Sequence, residues 1–225
     1  MLPVLETLTV SPFDENTYLV GDAEAGVAVA IDPGGRTDDI VRVARLRGVE
    51  ITRILITHAH IDHVTGVEPL REATGAEFLM HEDGLRLLRG LPQQAAMFGL
   101  PRVDPPEADG FIAGGQEIEV GGLELRVLDT PGHAPGHVTF HCAGAPMEFG
   151  ERPFALCGDV VFYGSIGRTD LVGGDYETLM KSIEDQILTL PDETVLLSGH
   201  GPATTVGRER RHNPFIVDWL SRHES

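Results

Sequence analysis

Short apolar runs of β character alternate with helix-forming patterns along the whole chain, and no other feature restricts its fold as tightly. Strands are predicted at 4–10, 17–20, 27–31, 53–56 and 77–80, then at 117–120, 124–128, 138–141, 153–157 and 194–197. These runs are rich in Val, Ile, Leu and Phe and end at Gly, Pro or Asp turns. Thr37 reads as the cap of a helix running to Arg47, with Asp38 and Asp39 in its first turn and Gly48 just beyond. Asp175 reads as the cap of another, in which Tyr176, Leu179, Met180, Ile183 and Ile187 form a core-facing stripe. Weaker helical patterns lie at 67–73, 82–90 and 213–222. The stretch 91–115, with Pro92, Pro101, Pro105 and Pro106, is the least regular and reads as a binding loop or lid. Strands and helices mixed in this way specify an α/β class with helices covering the sheets. No repeat or linker divides the 225 residues, so a single domain over 1–225 is expected.

The chemistry concentrates where one apolar strand ends. Ile54-Leu55-Ile56-Thr57 is followed by His58, His60, Asp62 and His63, four potential metal ligands within six residues. Imidazole and carboxylate suit zinc, iron or manganese. Three more candidates each follow an apolar strand beside a glycine: His133 after Pro131-Gly132, Asp159 after Gly158, and His200 after Gly199. Glycine allows the tight turns that aim such side chains at one point. Histidine is also in excess, ten against three tyrosines and one tryptophan, and this set claims five of the ten.

The order His-x-His-x-Asp-His, Pro-Gly-His, Gly-Asp, Gly-His resembles that of the metallo-β-lactamase superfamily over essentially the whole chain. Within it, Thr57 to His63, Pro131 to His137, Gly167-Arg168-Thr169-Asp170, Gly199 to Pro202 and Arg211 to Phe215 are similar to small glyoxalase II-like hydrolases. The resemblance implies a four-layer αβ/βα sandwich of two mixed sheets, with the metals at one rim. It implies two divalent ions, zinc first, with iron or manganese as alternatives. His58, His60 and His133 would hold one ion, Asp62, His63 and His200 the other, and Asp159 would bridge them. Asp62 is also the candidate proton shuttle. Asp32 matches an acidic position behind the ligands, where a carboxylate orients a ligating histidine. Arg168 and the segment with Gln93, Gln94, Met97 and Phe98 are the substrate-facing candidates. His137 falls outside the ligand set, and His81, His141, His212 and His223 read as ordinary core or surface residues.

The reaction implied is hydrolysis of an acyl thioester, of hydroxyacylglutathione type, by hydroxide formed at the metals. Only 25 residues follow His200, so the C-terminal helical domain that helps hold glutathione in larger glyoxalase II enzymes is not expected. The alternative on the same fold is a mononuclear iron persulfide dioxygenase using His58, His133 and Asp159. That group tends to carry cysteine where this chain has Ile166 and His137. A net charge of −18 disfavours nucleic acid and anionic membranes, yet leaves a small anionic substrate open. No apolar run reaches membrane-spanning length, and the start of the chain lacks a signal-peptide pattern. A cytoplasmic monomer or homodimer acting on a small molecule is therefore expected, with Cys142 and Cys157 as buried free thiols.

Overall fold

The computed structural model describes residues 1–147 and 150–223. The first half of the chain builds one six-stranded sheet from β1 (Pro3–Val10), β2 (Glu15–Asp22), β3 (Val27–Ile31), β4 (Glu50–Leu55), β5 (Glu77–His81) and β6 (Gly110–Ile112). Its first three strands pair antiparallel and its last four parallel, because β3 to β6 are joined by helical crossovers. Those crossovers carry α1 (Thr37–Arg47), α2 (Ile61–Val64), α3 (Val67–Thr74), α4 (Leu85–Arg89) and α5 (Leu91–Met97).

The second sheet contains β7 (Glu117–Val120), β8 (Leu123–Asp129), β9 (Val138–Met147) and β10 (Gly150–Gly158). A short hairpin, β11 (Val161–Phe162) with β12 (Ser165–Ile166), precedes α6 (Tyr176–Ser182), which continues as a wider π-turn over Ile183–Ile187. Then β13 (Val195–Ser198) adds parallel to β10, and β14 (Thr204–Thr205) closes the edge before α7 (Val206–His212) and α8 (Pro214–His223).

Alternation along the strands explains why two sheets need four layers. In β3, Val29 and Ile31 face the other sheet, while Ala28 and Ala30 face α1 and α3. In β10, Phe154 and Leu156 enter the inter-sheet core, while Ala155 and Cys157 pack beneath α6 and α8. These two strands bury both faces, so each reads as a continuous apolar run. The outer cores are capped by Ile40 and Leu70 on one side and by Leu179, Ile216 and Trp219 on the other. Both mixed sheets expected from the sequence are present.

Local differences have local causes. Thr37 is the first helical residue of α1, not its cap; that place falls to Arg36, held at φ 51°. Its guanidinium donates to the Thr9 carbonyl and to Asp39, which fixes the turn without a side-chain cap. The stretch 91–115 is not wholly irregular. Pro92 sits in the first turn of α5, where its missing N–H costs nothing. Further on, Gly110–Ile112 completes the sheet beside β5. Asp175 caps α6 as expected, accepting from the Thr178 amide at 2.8 Å.

Cys142 and Cys157 are free and buried, and burial pushes the Cys157 thiol up to about 12. Neither should react with an aromatic disulfide reagent in the folded protein. Both should react in denaturant, and rapid labelling of the native chain would contradict this packing.

Candidate metal centre

Five strands end at one rim, and each hands over part of the site. Asp32 follows β3, His58 to His63 follow β4, His133 follows β8, Asp159 follows β10 and His200 follows β13. Helix α2 starts within the second of these segments, with His60 at its N-cap and Asp62 and His63 in its first turn. Glycine is required at two of the turns. At Gly158 (φ 45°) a Cβ would strike Thr57 and come within 2.8 Å of the His137 ring. At Gly199 it would strike the Asp159 carboxylate and lie 2.7 Å from the His63 ring.

All seven sequence-predicted ligands converge. One donor atom each from His58, His60 and His133 lies within 4.8 Å of the others, and the same holds for Asp62, His63 and His200. Asp159 stands between the two groups. Its Oδ1 is 3.5 Å from His63 Nε2, while its Oδ2 is 3.6 Å from His133 Nε2 and 3.7 Å from His200 Nε2. His200 Nε2 is also 3.1 Å from Asp62 Oδ2.

The opposite ring nitrogens are held by the protein. His133 Nδ1 donates to the Arg168 carbonyl at 2.7 Å, and His200 Nδ1 donates to the Phe13 carbonyl at 3.1 Å. His63 Nδ1 lies 3.0 Å from Asp32 Oδ2, and His58 Nδ1 lies 3.0 Å from the Thr57 hydroxyl. Anchoring Nδ1 directs Nε2 inward, which is how partners behind a ligand orient an imidazole. Asp32 is fixed in turn, at φ 51°, by accepting from the Thr57 amide at 2.6 Å and the Thr57 hydroxyl at 2.7 Å.

Electrostatics tests whether cations fit. His58 Nε2, His63 Nε2 and Asp159 Oδ1 are buried without a hydrogen-bond partner, an arrangement that costs roughly 1–3 kcal/mol per neutral group and more per charge. Burial, then the neighbouring His63, holds His58 well below the usual imidazole range. Burial and His133 hold His60 at about 3, so both present lone pairs. Burial opposes charge on His63, but Asp62, Asp32 and Asp159 outweigh it and raise its pKa. A concentration of negative charge around inward-facing nitrogens is the environment a divalent cation neutralises. The donor set fits metal ions.

Two contributors escaped the sequence reading. Glu15, 1% exposed, lies 4.0 Å from His63 Nδ1, and burial pushes its carboxyl up to about 9. The polar opening of β2, Glu15-Asn16-Thr17 ahead of an apolar strand, is the signal that could have flagged it. His137 stacks on His58 with centroids 4.8 Å apart, and its Nε2 accepts from the Asp159 amide at 3.2 Å. It belongs to neither group of converging donors, and it positions two of the candidate ligands.

Beside the cluster opens a cavity of about 940 Å³, whose lining includes His60, Asp159, Phe13, Met97, Phe98 and Phe162. Met97 is 69% exposed, and Phe98 packs edge-on against Phe13 at 5.2 Å. Gln94 spends its amide inside the chain, accepting from the Ile61 amide and donating to the Ala59 and Leu87 carbonyls. It ties α5 to the start of α2 and does not offer that amide to a ligand. Arg168 lines the cavity, with its guanidinium held by both oxygens of Asp170.

Comparison with known proteins adds the lineage. Residues 10–200 match the model of the metallo-β-lactamase superfamily. The hydroxyacylglutathione hydrolase GloC of Haemophilus influenzae is 38% identical over 214 residues, covering 94% of this chain and 97% of that protein. The crystal structure of the B3 metallo-β-lactamase BLEG-1 superposes with a TM-score of 0.85 at 32% identity, covering 95% of this chain and 99% of that one. TTHA1623, solved in a di-iron-bound form, superposes at 0.80 with 38% identity, covering 93% and 99%. With this fold, this match and this cluster of His and Asp donors, the chain belongs to the metallo-β-lactamase superfamily and is one of its divalent-metal-dependent hydrolases.

Proposed function

We propose that the protein hydrolyses acyl thioesters of hydroxyacylglutathione type with two divalent ions, zinc in first place. His58, His60 and His133 would hold one ion and Asp62, His63 and His200 the second, with Asp159 placed to serve either. The observation that carries this reading is the placement of the Asp159 carboxylate, with one oxygen toward His63 and the other toward His133 and His200. Such ions, when bound, supply hydroxide at neutral pH and a Lewis acid for the carbonyl oxygen. The chain's own part is to fix geometry. Asp32, Phe13 and Arg168 hold the ring nitrogens of His63, His200 and His133 from behind. His137 and Gly199 set the backbone around Asp159. Asp62 is assigned as a ligand and as the carboxylate that takes up the proton released. The 38% identity to a hydroxyacylglutathione hydrolase supports the thioester, and the di-iron relative supports two ions.

Metal-loaded protein should hydrolyse lactoylglutathione or simpler thioesters well above the uncatalysed rate, with two ions per chain and no oxygen consumption. No hydrolysis of any thioester, or one iron with oxygen uptake on glutathione persulfide, would overturn the proposal.

Met97 and Phe98 are assigned to the wall that meets the substrate. Truncating both to alanine (M97A/F98A) removes apolar contact worth about 1–2 kcal/mol, so KM should rise by about 5- to 30-fold while metal content holds. Loss of metal together with activity would assign them to the scaffold instead.

A further inference from the structure

The cavity wall is chemically uneven. Away from the candidate ligands it is largely apolar, with Phe13, Met97, Phe98, Phe162, Leu171 and Val172 among its residues. Two arginines interrupt it, Arg86 and Arg168. Arg168 is held by Asp170 through a two-point ion pair, so its fork is already occupied. Arg86, on α4, forms no ion pair among the described residues, and it is exposed. Gln94 is engaged with the Ile61, Ala59 and Leu87 backbone, while the exposed Gln93 lines the same cavity as a neutral polar group.

On a chain of net charge −18, anions are not gathered by the general field, so an exposed, unpaired guanidinium lining an apolar cavity is a local attractor. Guanidinium matches a carboxylate at two points, and an apolar wall holds a hydrocarbon stretch far better than a peptide. We infer that the preferred substrate is an acyl thioester whose acyl group is an apolar chain ending in a carboxylate, and that Arg86 is the residue that selects for that end. The inference rests on the thioesterase reading for its reaction, but its recognition element is separate from the metal cluster.

The test uses N-acetylcysteamine thioesters with acyl chains of roughly four to eight carbons, paired at each length as terminal methyl and terminal carboxylate. The corresponding thioethers, in which a methylene replaces the carbonyl, report binding without hydrolysis. At the best length the carboxylate member should lead by about tenfold in kcat/KM, and its thioether should bind about tenfold tighter by calorimetry. In R86Q both ratios should fall to about one, and R86K should recover part of them. Equal ratios in the wild type, or a preference that survives R86Q, would overturn the inference. A binding preference that depends on Arg86 without hydrolysis of any thioester would leave the anchor standing and remove the thioesterase reading. Neither binding nor hydrolysis would remove both.

Discussion

If the site holds two ions as proposed, replacing Asp159 by alanine should reduce bound metal to one ion per chain or none, and lower kcat/KM for a thioester by more than about a hundredfold. The size follows from position. Changing residues behind a ligand already costs roughly 10–100-fold in metal affinity or activity. Asp159 faces both histidine groups, with Oδ1 3.5 Å from His63 and Oδ2 3.6 Å from His133 and 3.7 Å from His200. Its loss removes a donor from both halves, while His63 Nε2 stays buried without a partner. The fold should survive, because the Asp159 amide keeps its bond to His137 and β10 keeps its partners. Metal quantification beside circular dichroism checks this. Full metal content in D159A with unaltered kinetics would show that the two groups of donors do not share this residue.

Stripping the metals should abolish hydrolysis and also destabilise the chain. Without cations, Asp32, Asp62 and Asp159 all lie within 3.7 Å of the single His63 ring, a crowding of charge that a proton on that ring relieves in part. A ligand present at about 100 times its Kd stabilises the native state by about 2.7 kcal/mol, so two such ions contribute about 5 kcal/mol. For a domain of this size each kcal/mol moves Tm by about 2–4 °C, which makes the expected drop on the order of 10–20 °C. Calorimetry of dialysed protein, before and after adding zinc back, measures it. An unchanged Tm on loading would place the metals outside the folded core.

What could be read from the sequence was what short range decides. Val29 and Ile31 against Ala28 and Ala30 already alternate in size, and the structure sends them to two different cores. The seven donors were visible because each follows a strand within a few residues and sits beside a glycine or another ligand. Contacts made by distant segments were not visible. Glu15 reaches His63 only because β2 lies beside β3 and Gly34 leaves room for its carboxylate. His137 is one strand away from the Asp159 amide it holds, a pairing that no local spacing encodes. In 91–115 the four prolines masked α5, although Pro92 sits where a helix tolerates it. The two-residue strand β14 lacks any periodicity, and α7 is launched from it by Thr205, whose hydroxyl accepts from the Arg208 amide at 3.2 Å. Gln94 reads from sequence as a substrate contact, but its amide is bonded to three backbone groups brought together by the fold.

The most direct test of a two-ion thioesterase is a stoichiometric titration of metal-free protein with zinc while thioester hydrolysis is followed. The rate should climb and break at two equivalents per chain. A break at one equivalent, or no hydrolysis at any loading, would contradict it.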